Sequence, residues 1–184
     1  MTIFNLFKIG VGPSSSHTVG PMLIAKRFVE LIKEQNHFSN LDRIKVELFG
    51  SLGATGIGHH SDSAVLLGLM GNEPKTVDTN SIQEKIDEIK NSSLIKLLNE
   101  KEITFSYKED LILYQNKTLA FHPNAIKLSI YDNKSELFSK IYYSIGGGEV
   151  ISEDEIHNEK TDEKTLPYNF TSAKELLEKA KANN

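Results

Sequence analysis

The chain has 184 residues, of which 39% are hydrophobic, with 21 basic and 25 acidic side chains for a formal net charge of -4, and it contains no cysteine. That length suits one domain with its own core; the interspersed charge leaves no basic face to neutralise a run of phosphates, and no apolar run approaches the ~20 residues of a membrane-spanning helix. Zero cysteines exclude disulfides, thiolate zinc sites and any iron–sulfur cluster ligated from within this chain.

The first residues, Met-Thr-Ile-Phe-Asn-Leu-Phe, are too short and unflanked for a secretory signal, so a cytoplasmic protein is expected, with neither nucleic acid nor membrane as partner. Next comes Gly10-Val-Gly-Pro-Ser-Ser-Ser-His-Thr-Val-Gly-Pro21, a loop composition. From Thr18 to Gln35 the apolar residues Met22, Leu23, Ala25, Phe28, Val29, Leu31 and Ile32 recur at amphipathic-helix spacing. Pro21 fits only in the first turn, so this helix is expected to start between Thr18 and Gly20. Arg43 to Phe49 alternates like a half-buried strand. A second glycine-rich loop, Gly50 to Asp62, then leads to a buried helical segment, Ser63 to Met70.

Ser81 to Leu98 reads as one helix capped by Ser81 with Glu84 three residues on. From Glu102 the period changes to two, predicting antiparallel strands over 103–107, 111–114, 125–131 and 137–144, closed by Ser144-Ile-Gly-Gly-Gly148. Residues 150–164 read as a polar surface excursion and 171–182 as a helix with Thr171 or Ser172 as cap. The fold class expected is α+β, a mixed and largely antiparallel sheet with helices packed on one face.

Two loops carry residues suited to chemistry. A Gly/Ser-rich loop at a helix N-terminus offers backbone N–H groups, hydroxyls and the positive end of the helix dipole to a carboxylate or phosphate. The loop lacks the Gly-Lys-Ser/Thr of a nucleotide-binding P-loop. In the plainer reading Ser16 or Thr18 simply caps the helix. A serine activated by His17 would make a hydrolase, although sequence neighbours rarely have the geometry and no Gly-x-Ser-x-Gly elbow is present. In the second loop His59 and His60 are adjacent, a poor spacing for a metal site but a good one for placing a single general base, with Asp62 capping the helix or orienting an imidazole. His122 precedes Pro123 at a strand entry, and His37 and His157 read as surface residues.

Taken together, Lys8-Ile-Gly-Val-Gly-Pro-Ser-Ser-Ser-His-Thr-Val-Gly-Pro-Met22, Gly50-Ser-Leu, Gly58-His-His-Ser-Asp62, Gly71-Asn-Glu-Pro74, Phe121-His-Pro-Asn124 and Tyr142-Tyr-Ser-Ile-Gly-Gly-Gly148 resemble the β portion of the iron–sulfur-dependent L-serine dehydratases. One departure is Ser61, where Thr is frequent in that family. The resemblance implies that residues 1–184 are a β domain, expected to be the N-terminal part of a longer chain and inactive alone. It implies deamination of L-serine to pyruvate and ammonia with a 4Fe-4S cluster acting as Lewis acid, held by cysteines of an α domain or subunit, and no metal ligand here. The partners it implies are that α portion, L-serine, and a second copy in a homodimer.

Catalytic roles then fall to His59, as the base that removes the α-proton, with His60 as the second choice and His122 in support. Substrate binding falls to Ser14, Ser15, Ser16, His17 and Thr18, with Gly146 and Gly147 in the same wall. The domain is further similar to the allosteric substrate-binding domain of phosphoglycerate dehydrogenases, which leaves a free-standing small-molecule sensor as the alternative function.

Overall fold

The computed structural model describes residues 9–133, 135–156 and 170–183. The serine-rich segment is helical: Ser14 has extended backbone and its side chain accepts the His17 N–H, and a single π-helical turn, Ser15–Val19, runs directly into helix α1, Gly20–Glu34. Pro21 sits in the first turn of α1, where the missing N–H loses no intrahelical bond. Along α1, Met22, Ala25, Phe28, Val29 and Ile32 form the buried stripe that the spacing predicts.

Strand β1, Arg43–Phe49, passes straight into a short helix α2, Gly50–Thr55, and a turn leads to α3, Ser61–Leu69. A 3₁₀ turn at Thr79–Ser81 precedes α4, Ile82–Ser92, and the strands β2 (Leu94–Leu97), β3 (Lys101–Thr104), β4 (Leu111–Leu113), β5 (Asn124–Asp132), β6 (Ser135–Gly146) and β7 (Glu149–Ser152) follow. Helices α5, Glu153–Ile156, and α6, Ala173–Ala182, complete the described residues. The seven strands form one mixed sheet in the order β2-β3-β1-β5-β6-β7, with β4 also paired to β1. Its helix-facing side places Ile44, Val46, Leu48, Ile126, Leu128, Ile130 and Tyr142 in one core with α1 and α3. The opposite side has a smaller apolar cluster, Phe49, Ala125, Tyr143 and Ile151.

The α+β architecture and mixed sheet agree with the sequence reading, and several local expectations do not. The helix expected over 81–98 stops at Ser92, because Ser93 turns left-handed (φ 55°) with its N–H on the Ile89 carbonyl. Leu94 to Leu97 then alternate in burial as a strand. Their leucines coincide with helical spacing, which hid the break. Ser81 makes no side-chain cap; Asp78 caps the preceding turn instead.

The strands near 103 and 111 do not form a hairpin: β3 meets β1 at Arg43 and β4 meets it at Val46 to Leu48, both parallel to it. The intervening turn is held by buried Asp110, which accepts the Ser106 N–H and pairs with Arg43 Nε at 2.5 Å. The Gly146–Gly148 segment does not end the sheet but turns β6 into β7, so part of the expected surface excursion is a strand, and its residues 157–164 lie outside the described ones. His37 is half-buried and stacks on Phe138 at 5.8 Å, and His157 lies outside the described residues.

Arg27 of α1 pairs with Glu155 of α5, which also accepts the Ser152 N–H and so fastens the end of β7 to α1. The Arg27 bond comes first among the causes that hold the Glu155 carboxyl down at about 2. A depression of that size taken at face value is about 3 kcal/mol. Both side chains are exposed, at 42% and 44%, so solvent screening reduces the contribution to about 1 kcal/mol or less. Because the folded value lies below the unfolded one, the contribution is present above about pH 4.5 and fades as pH falls toward 2. Denaturant titrations of E155Q and the unaltered chain should therefore differ at pH 6 and converge only as pH falls to about 2.

Candidate active site

The two histidine-bearing segments predicted as separate loops meet at the N-terminal ends of α1 and α3. Gly68 makes this possible, since a Cβ there would overlap the Met22 carbonyl oxygen and sit 2.9 Å from the Ala25 Cβ. Glycine therefore lets α3 close onto the first turns of α1. At the junction, the His17 and His59 rings face each other at 4.9 Å between centroids, tilted by 42°.

His17 is bonded at both nitrogens: Nδ1 to Ser16 Oγ at 2.9 Å and Nε2 to Ser51 Oγ at 2.8 Å. Ser14 Oγ lies 3.3 Å from Ser16 Oγ, which extends the chain of hydroxyls. Burial first, and then the neighbouring His59, hold the His17 imidazole below the ordinary histidine range, so near pH 7 the ring is neutral. The expectation that sequence neighbours would not be bonded is overturned here, because the π-helical turn folds Ser16 Oγ back onto Nδ1. Ser51, which the sequence reading left unassigned, is the residue that links the His17 ring to the end of β1. Its place two residues past a strand end, in the first turn of a helix, was the available signal.

His59 is half-buried, and its Nδ1 lies 3.1 Å from the Thr55 carbonyl oxygen. A carbonyl can only accept, so Nδ1 carries the proton and the neutral ring keeps its lone pair on Nε2. His60 has a left-handed backbone (φ 57°, ψ 31°) and is turned elsewhere. It lines a cavity of about 270 Å³ with Thr18, Met22 and Gln83. His122 is half-buried at the entry to β5, with Nδ1 accepting the Asn124 N–H at 3.1 Å, which leaves the proton on Nε2. The adjoining Pro123 carbonyl accepts the Ser51 N–H at 2.9 Å, placing this corner against the start of α2.

Other residues differ in role from the sequence reading. The helix cap is Ser14, not Ser16 or Thr18. The His17 N–H goes to Ser14 Oγ, and the Thr18 and Val19 N–H groups go to the Ser14 carbonyl, so these three amides are taken within the turn. Ser15 stays exposed. Thr18 is buried, with its hydroxyl on the His59 carbonyl at 3.0 Å. Asp62 touches no imidazole: it takes the Tyr107 hydroxyl at 2.5 Å, an anchor for α3 that the sequence did not signal. Burial and this carboxylate push the Tyr107 phenol far up, so it remains a donor.

Ser144 donates to the Ser16 carbonyl at 2.8 Å across a contact that only Gly20 permits, and its own carbonyl receives Asn124 Nδ2 at 3.2 Å. Gly146 and Gly147 have positive φ (103° and 60°), as does Gly148, and an added Cβ at either of the first two would meet nothing within 4 Å. They serve the tight β6–β7 turn, which requires φ > 0. For a hydrolase, Ser51 would need free amide donors beside it, yet the Gly50 and Ser51 N–H groups are bonded to the Lys117 and Pro123 carbonyls.

The N-terminal ends of two packed helices thus bring imidazoles and hydroxyls together in one α+β domain. The family model of the serine dehydratase beta chain matches residues 2–155, and the chain belongs to that family. It is 44% identical over 184 residues to an L-serine dehydratase of Streptomyces coelicolor, covering 98% of this chain and 40% of that protein. With L-serine dehydratase 1 of Escherichia coli the identity is 38% over 177 residues, covering 96% of this chain and 39% of the relative. An L-serine dehydratase of Helicobacter pylori is 43% identical over 180 residues, again 96% and 39%. The chain thus spans about two fifths of the length of these relatives. No described helix is long and apolar enough to cross a membrane.

Proposed function

We propose that this chain is the β portion of a cytoplasmic, iron–sulfur-dependent L-serine ammonia-lyase and contributes the acid–base half of its active site. The observation that carries this reading is the tautomer of His59: the Thr55 carbonyl holds the proton on Nδ1 and leaves Nε2 basic, facing a neutral His17. The family membership and the relatives' names support the substrate. The donor set here does not fit an iron–sulfur cluster, since the chain has no cysteine. Among the described residues no group of three or more His, Cys, Asp or Glu could hold a metal ion. We therefore assign the 4Fe-4S cluster to an α domain or subunit outside these residues.

His59 Nε2 takes the α-proton of serine, the C–H electron pair becomes the Cα=Cβ bond as the C–O bond breaks, and the hydroxyl leaves as water with a proton from His122 Nε2. The 2-aminoacrylate formed tautomerises to an imine that water hydrolyses to pyruvate and ammonia. His17, kept neutral, lets His59 charge without a second cation beside it, and Ser16 and Ser51 fix its ring. His122, with its Nε2 proton, is the supporting donor, and His60 is a weaker second choice for the base. Ser14, Ser15, Ser16 and His17, with the Gly146–Gly147 turn, form the wall against which substrate and α portion close, and Thr18, buried with its hydroxyl on the His59 carbonyl, supports that wall from behind.

The test is reconstitution: the chain combined anaerobically with the cysteine-bearing remainder of a relative, cluster intact, should produce pyruvate from L-serine, and neither half alone should. Serine binding by this chain alone, with no turnover on reconstitution, would favour the sensor alternative.

A further inference from the structure

Two backbone carbonyls at the site lack the ordinary α-helical donor. In an α-helical register the His17 oxygen would receive the N–H of the residue four positions on, but that residue is Pro21, which has none. His59 lies one residue before the cap of α3, so its carbonyl falls outside the helical ladder. Each of these acceptors is satisfied from the opposite element. Ser61 Oγ donates to the His17 carbonyl at 2.5 Å, and Thr18 Oγ1 donates to the His59 carbonyl at 3.0 Å. Both side chains are buried, Thr18 at 3% exposed and Ser61 at 0%, so water does not compete for either bond. The hydroxyl beside one histidine holds the backbone of the other, in both directions.

We propose that Thr18 and Ser61 are positioning residues whose crossed hydroxyl-to-carbonyl bonds set the separation and tilt of His17 and His59. The inference rests on the acid–base reading of that pair. Neither hydroxyl needs to touch substrate; they act through the backbones that carry the two rings. A pair fixed from both ends keeps His59 Nε2 at one place relative to an incoming Cα–H, and a displacement of about 1 Å there is enough to cost about 100-fold in rate. The depressed titration of His17 fits the same arrangement, since it depends on burial and on the nearness of His59.

The variants T18V and S61A remove one hydroxyl each, and T18S and S61T restore it. In the 184-residue chain, histidine titration by NMR should show His17 moving up toward the ordinary imidazole value in T18V and S61A and staying at the wild-type value in T18S and S61T. In the reconstituted enzyme the deletions should lower kcat about 10- to 100-fold with KM within about twofold. A purely structural role would lower Tm yet leave the His17 titration unchanged, and that result in folded T18V or S61A overturns the proposal. Should T18V fail to fold, S61A reads the same clamp from its other end with a smaller deletion. If the wild-type reconstitution makes no pyruvate, the functional reading falls while the titration still decides the clamp.

Discussion

Replacing His59 by glutamine should lower kcat for serine deamination in the cluster-bearing enzyme by about 10²- to 10⁴-fold, the range typical for losing a positioned general base. Glutamine is the informative substitute because its amide can still donate to the Thr55 carbonyl, which holds His59 Nδ1 at 3.1 Å, while offering no basic nitrogen. The Thr18 bond to position 59 involves the main chain and survives the change. Stability and cluster absorbance should therefore match the unaltered enzyme, separating loss of a base from loss of fold. The same substitution at His60 should cost far less, because that residue faces the cavity beside Met22 and Gln83. Near-normal turnover by H59Q with the cluster intact removes His59 from the role of base.

A large loss of stability from a single small substitution is expected at Gly68. Putting alanine there gains up to about 1 kcal/mol in helix propensity, but the new Cβ overlaps the Met22 carbonyl oxygen and lies 2.9 Å from the Ala25 Cβ. A backbone carbonyl cannot rotate aside, so α1 and α3 must separate, and overpacking of this kind costs about 1–3 kcal/mol. Valine adds bulk without alanine's helical gain, and G68V should lose about 3 kcal/mol, a fall in Tm of about 6–12 °C for a domain of this size. Because the two helices carry His17 and His59 at their N-terminal ends, the damage should extend to the site: His17 titration should shift upward in whatever fraction of G68V remains folded. A G68V chain with unchanged Tm would mean that the helices do not need this close approach.

The start of α1 was legible from Pro21 and the apolar stripe because both depend on residues within a few turns of one another. The same holds for β1, whose alternation reflects one buried face. The π-helical turn was not legible, since a Gly/Ser/Pro composition favours loops and the burial of Thr18 and Val19 that accompanies the helical form is a tertiary feature. Gly50 to Thr55 was misread as loop for a related reason: its glycines reflect neighbours, the Pro123 carbonyl against Gly50 and the Tyr114 carbonyl against Gly53. The histidines, the serine run and the later Gly-His-His-Ser-Asp were visible as motifs, yet their division of labour was not. His60 carried the same chemical credentials as His59, and Asp62 was as plausible a partner for an imidazole as for the Tyr107 hydroxyl it takes.

The sequence by itself determined the elements with strong local periodicity, the absence of any thiolate, and the residue types available for acid–base work. It also determined the family, because several short motifs occur together in a fixed order. Only the tertiary structure decided that His17 and His59 face each other, that Ser51 holds the His17 ring, that His60 turns away, and that Thr18 and Ser61 look inward. Those outcomes hang on contacts between residues 34 to 44 positions apart. Such contacts depend on how closely two helices approach, and this is set by a glycine neighbouring neither histidine.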